Sequence, residues 1–171
     1  MIDALAQLER SHRRLEEVLD ALEEARRGGL EPSQRVMEAL DDAARYFTRA
    51  APRHERDEEE SLFPRMPEGA GALIARLTAE HRAQHELHAR LVAAVEGFER
   101  DSDAGRAELG AVITQLDAAY RAHIALEDAE LLPSARAHLG DADHEEIARE
   151  MDERRGGGGG GGGRGGGGRG R

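Results

Sequence analysis

The 171-residue chain has no cysteine and no tryptophan, and aromatic residues make up only 3% of it. Without thiols there can be no disulfide, no thiolate-held zinc, no iron–sulfur cluster and no cysteine nucleophile. Any metal must therefore sit on histidine and carboxylate. Lysine is absent as well, so every base is arginine, a compositional bias from which no function is drawn. Long apolar runs are also missing. The N-terminus, Met1-Ile2-Asp3-Ala4-Leu5-Ala6, meets an acid at its third residue, and no later stretch reaches the length of a membrane span. The expectation is a soluble, cytoplasmic protein with no membrane partner.

What remains is mainly Leu, Ala, Glu and Arg, a mixture that suits helices, in a chain of 18.6 kDa that can bury one sizeable core. The net charge of −11 hides an asymmetry. Residues 154–171 carry five arginines and no acid, leaving 19 arginines against 35 acids in residues 1–153. An acidic body repels nucleic acid, so nucleic acid is not expected as a partner beyond a weak, salt-sensitive RNA contact through the tail.

Four segments show helical periodicity between turn signals. The first runs from about Asp3 to Arg27 with a stripe at Leu5, Leu8, Leu15, Leu19 and Leu22, and stops at Gly28-Gly29. The second opens near Pro32-Ser33 and carries Met37, Leu40, Ala44, Phe47 and Ala51 before Leu62-Phe63-Pro64. Pro52 predicts a kink or break just before His54. The third follows Pro67-Glu68-Gly69 to about Arg100, with Leu73, Leu77, Val92 and Val95 on one face. The fourth follows Asp101-Ser102-Asp103, shows Leu109, Ile113, Leu116 and Tyr120, and ends around Pro133.

The fold class expected is all-α: an up-down-up-down four-helix bundle over residues 1–139, a short amphipathic helix over 140–155 packed on it, and a disordered Gly/Arg tail over 156–171. The apolar stripes look used up within one chain, which predicts a monomer.

Polar residues interrupt the stripes at matching depths. His12 fills a gap in the first stripe, His54 and Glu58 continue the second, His81, His85 and His88 lie in the third, and His123 and Glu127 extend the fourth. Counted from the second and third turns, His54, His81 and His123 fall level with one another, whereas His12 and His54 are offset by about six residues across the first turn. A single His in an apolar stripe is usually a hydrogen-bonded core residue. Five imidazoles and two carboxylates at one depth would instead cost several kcal/mol for each group left unpaired, a penalty that a metal removes. His54 with Glu58, His81 with His85, and His123 with Glu127 are i, i+4 pairs, each able to serve one ion. Seven such groups exceed what one tetrahedral zinc needs and match two octahedral ions sharing two carboxylates. Imidazole and carboxylate suit iron.

The stretch His54-Glu55-Arg56-Asp57-Glu58-Glu59-Glu60-Ser61-Leu62-Phe63-Pro64, the pair His81-x-x-x-His85 and His123-Ile124-Ala125-Leu126-Glu127-Asp128 resemble the hemerythrin-like (HHE cation-binding) family across about residues 8 to 135. The resemblance implies two non-haem iron ions, bridged by an oxo or hydroxo group and by Glu58 and Glu127. His81, His85 and His123 would complete one ion; His12 and His54 would serve the other, whose open position takes O₂ or a related small ligand such as nitric oxide. Some members place the last carboxylate one residue later, which would make Asp128 the bridge. Helical geometry favours Glu127, because i+4 lies about 40° from i around the helix and i+5 about 140°. His88 is outside the family's ligand set and reads as a hydrogen-bond partner of a ligand, a pocket-lining residue or a plain core histidine; His138 and His144 lie off the seam. The functional expectation is storage, transport or sensing of a small diatomic ligand, with no residue assigned a catalytic role. The alternatives are a di-iron enzyme that detoxifies peroxide or reactive nitrogen species, and an iron- or redox-responsive regulatory module.

Overall fold

The structure is a computed structural model that describes residues 3–156. The Gly/Arg tail expected over 156–171, with its expected disorder and RNA contact, lies outside the described residues apart from Gly156.

Helix α1 (Ala4–Arg27) starts where the Asp3 carboxylate accepts the Ala6 N–H at 3.1 Å. It ends in a tight reversal with Gly29 at φ 81° and Leu30 at φ 52°. There the Leu30 N–H donates to the Ala25 carbonyl and the Gly29 N–H to that of Arg26, both at 3.0 Å, which satisfies the carbonyls the last turn leaves free. The second long helix begins at Ser33, whose hydroxyl caps Val36, and consists of α2 (Gln34–Arg45), a π turn (Tyr46–Ala50), α3 (Ala51–Arg56) and a second π turn (Asp57–Leu62). The third is α4 (Gly71–Arg100). The fourth is α5 (Ser102–Leu126), capped by Asp101, followed by a π turn (Glu127–Leu131) and α6 (Leu132–His138). After a short bend comes α7 (Asp141–Arg154).

Pro52 does not break its helix. Ala51 stays α-helical at φ −60°, ψ −50°, and the change of register takes the form of the π turn before it. Pro64 and Pro133 repeat the arrangement, each standing two residues beyond the end of a π turn. A proline lacks an N–H and crowds the carbonyl one turn back, and a widened turn relieves both by shifting the hydrogen-bond ladder. The same widening re-aims the side chains at its start, and Glu58 and Glu127 lie in the first two positions of two of these turns.

The long helices pack in a ring in which α1 touches the second helix and α5, and α4 lies between the second helix and α5. Chain neighbours run antiparallel, so the bundle is up-down-up-down. Its apolar interior falls into two clusters. One gathers Leu15, Leu19, Leu40, Phe47, Leu91, Phe98, Leu109 and Leu116. The other gathers Leu5, Leu8, Leu62, Leu77, Leu131 and Leu132 with Ile147 and Met151 of α7. Each fully buried leucine contributes roughly 1.5–3 kcal/mol, so both ends are held firmly. Between them lies a layer of polar side chains. Among the described residues no helix is long and apolar enough to cross a membrane.

Candidate metal centre

The polar layer sits where each stripe changes from leucine to histidine. His12 follows Leu8 on α1, His81 follows Leu77 on α4, and His123 follows Tyr120 on α5, each at i+3 or i+4 and each buried. His54 on α3 and the two carboxylates on the π turns complete the layer, and Glu58 and Glu127 are wholly inaccessible to solvent.

These six side chains form two groups of four that share both carboxylates: His12, His54, Glu58 and Glu127, then Glu58, His81, His123 and Glu127. Within each group the ligand atoms lie within 4.8 Å of one another. His12 Nε2 is 3.0 Å from Glu127 and 3.8 Å from Glu58, and His54 Nε2 is 3.4 Å from Glu58. Opposite them, His81 Nε2 is 3.3 Å from Glu58 and His123 Nε2 is 3.0 Å from Glu127.

Three of the rings are oriented from behind. His81 Nδ1–H donates to Glu59 and His123 Nδ1–H to Glu80, both at 2.8 Å, while His12 Nδ1–H donates to Asp128 at 3.2 Å. A carboxylate on Nδ1 sets the tautomer and turns Nε2 inward, as in metal sites generally. The consequence is sharpest where His81 Nε2 faces His123 Nε2 at 3.1 Å. With both Nδ1–H groups committed, these nitrogens can meet only with a proton or a cation between them.

The carboxylates make the same demand. Both oxygens of Glu58 and of Glu127, together with His12 Nε2, are buried without a hydrogen-bond partner. Unpaired buried carboxylate oxygens cost several kcal/mol, and the donor set of imidazole and carboxylate suits divalent or trivalent iron. Burial alone would raise the Glu58 carboxyl, yet His54, His12 and His81 around it hold it well below the usual carboxylate range. Burial likewise works against a charged imidazole, but Glu127 and Glu58 push His12 up to about 11 and Glu58 pushes His81 up to about 9. The layer is built for positive charge, and an entering cation displaces protons.

His85 stands apart from both groups. The buried positions of α4 run His81, Gln84, His88, Leu91, so the helix advances by three from His81 and leaves the His85 side chain 55% exposed. Its Nε2–H donates at 2.5 Å to Glu55, a buried acid next to His54. Asp128 stays partly exposed behind His12, and Glu127 occupies the interior. His88 lies one layer above, where its Nε2 accepts the Tyr120 hydroxyl at 2.5 Å and its ring stacks on Tyr120. Burial lowers His88 to about 4, so it is neutral and fit to accept. His138 is exposed and His144 partly buried, the latter 3.9 Å from Asp3.

Sequence reasoning passed over Glu55, Glu80 and Tyr120. Each lies next to or one turn from a residue of the two groups, and that proximity is the available signal. A cavity of about 10 Å³ is lined by Tyr46, His54, Glu55, His81, Tyr120, His123 and Glu127, room for about one water-sized occupant.

Compared with known proteins, the chain matches the profile of the hemerythrin HHE cation binding domain over residues 3–135. No curated protein sequence matches it.

Proposed function

The chain belongs to the hemerythrin HHE cation-binding family and is therefore a cation-binding protein, and on that premise we propose that it holds a pair of non-haem iron ions and binds a small diatomic ligand such as O₂ or nitric oxide. The observation that carries this reading is the pair of four-residue groups sharing Glu58 and Glu127. His12 and His54 would hold one ion, His81 and His123 the other, and the two carboxylates would bridge them. Iron held by these residues would supply Lewis acidity and exchangeable electrons to a small ligand.

The chain's own residues do the rest. Glu59, Glu80 and Asp128 hold three imidazoles in their ligating tautomer. The leucine clusters above and below keep bulk water from the layer. Tyr46 and Tyr120 wall a small cavity beside His81, His123 and Glu127, a setting that supports a ligand of few atoms.

The test is to reduce the iron-loaded protein anaerobically, add O₂ or nitric oxide in steps, and follow the optical spectrum. A saturable change that reverses when the gas is removed supports ligand binding. Sustained consumption of peroxide or nitric oxide with an electron donor would replace it by an enzymatic role.

A further inference from the structure

We propose that Glu55, and not His85, is the further protein ligand on the ion held by His81 and His123. The proposal rests on the paired-ion reading above and specifies its donor set. Glu55 is 6% exposed and lines the same small cavity as His81, His123 and Glu127. One of its oxygens accepts the His85 N–H at 2.5 Å, and the other, Oε1, is buried without a partner. An unpaired carboxylate oxygen facing a cluster of ligand atoms is the feature that a cation satisfies. Neither Glu55 nor His85 belongs to the two groups of four, but Glu55 borders their cavity from the interior, whereas the His85 side chain does not line it and is 55% exposed.

The pairing of Glu55 with His85 repeats, with roles exchanged, what surrounds the other ligands. Around His81 and His123 the imidazole faces inward and a carboxylate, Glu59 or Glu80, holds it from outside. At Glu55 the carboxylate is inside and the imidazole outside. Helix geometry explains why: α3 carries Glu55 next to His54, towards the cavity that α4 and α5 also border, while the three-residue step from His81 to Gln84 turns His85 towards solvent. The resulting set is four imidazoles and three carboxylates. It carries one more negative charge than a set with five imidazoles and two carboxylates, and so stabilises ferric over ferrous iron.

Anaerobic titration of the apo-protein with Fe(II), with iron per chain counted after gel filtration, separates the two assignments. The wild type takes up two ions. Glu55→Gln retains one tightly and loses the other, or binds it more than about 100-fold more weakly, whereas His85→Ala still holds two, with at most the roughly 10–100-fold weakening typical of an outer partner. Loss of one ion from His85→Ala with both kept by Glu55→Gln overturns the proposal, as does retention of both by both variants. If Glu55→Gln fails to fold, the Co(II) spectrum decides: bands unchanged by His85→Ala support Glu55, and altered ligand-field bands overturn it. A wild type that takes up fewer than two ions overturns the paired-ion reading itself.

Discussion

Asp57 is wholly buried and its carboxylate accepts an N–H of Arg154 at 2.9 Å, which ties the C-terminal helix to the residue adjacent to Glu58. Arg155 takes the other oxygen at 2.5 Å, and Arg154 also reaches the Ser61 hydroxyl at 2.6 Å. Helix α7 thereby braces the π turn that presents Glu58, although it lies beyond the residues matched to the family domain. Arg154→Gln leaves a buried carboxylate short of a partner. It should cost about 3 kcal/mol, read as a shift in the denaturant midpoint. The exposed Arg149→Gln should cost at most about 0.5 kcal/mol.

Metal removal should destabilise the fold. An ion present at about 1,000 times its dissociation constant adds about 4 kcal/mol, so chelation should lower the melting temperature, as calorimetry would show. Glu58→Gln removes a carboxylate common to both groups and should abolish the difference between metal-loaded and chelated protein.

The hairpin between α4 and α5 depends on a missing side chain. A Cβ at Gly105 would lie 2.6 Å from Phe98 Cα and 2.7 Å from its nitrogen. Both are backbone atoms that cannot yield, so Gly105→Ala should destabilise by about 1–3 kcal/mol. Gly97→Ala meets nothing within 4 Å and lies inside α4, so it should stabilise by up to about 1 kcal/mol. Thermal melts of the two variants should move in opposite directions.

Docking of α7 should weaken in acid. Burial would raise Glu150, but its bond to Arg65 at 2.8 Å and the neighbouring Glu146–Arg65 contact at 3.0 Å anchor a network in which Glu150 lies below its ordinary value of 4.5. A depressed carboxyl contributes stability that is present above 4.5 and lost as pH falls through the lowered value. Protection factors of α7 amides in the apo-protein, with the intrinsic pH dependence of exchange divided out, should therefore fall below about pH 4.5, and less so in Arg65→Gln, which has already lost the pair.

Much of this was legible in the sequence, because stripes of leucine with period 3.6 and capping residues at Asp3, Ser33 and Asp101 define helices by local chemistry. His12, His54, Glu58, His81, His123 and Glu127 stand out by the same rule, as polar residues where the stripe calls for leucine. That Gln84 turns inward and His85 outward did not show in the sequence, since i+3 and i+4 both lie near the face of His81 and only the neighbouring helix decides between them. Pro52 pointed to a break because a lost hydrogen bond is local, whereas the π turn that absorbs it is set by packing on both sides. The distance of six residues separating His12 and His54 in loop count did not keep them apart; their rings lie 5.1 Å from each other.

The most direct test of the central claim is the iron content of protein purified from iron-supplemented cells, counted per chain and recorded with its optical spectrum before and after anaerobic reduction. About two irons per chain are expected, with ferric charge-transfer bands that bleach on reduction and return with air. A single zinc per chain, or no metal and no such bands, would contradict that claim.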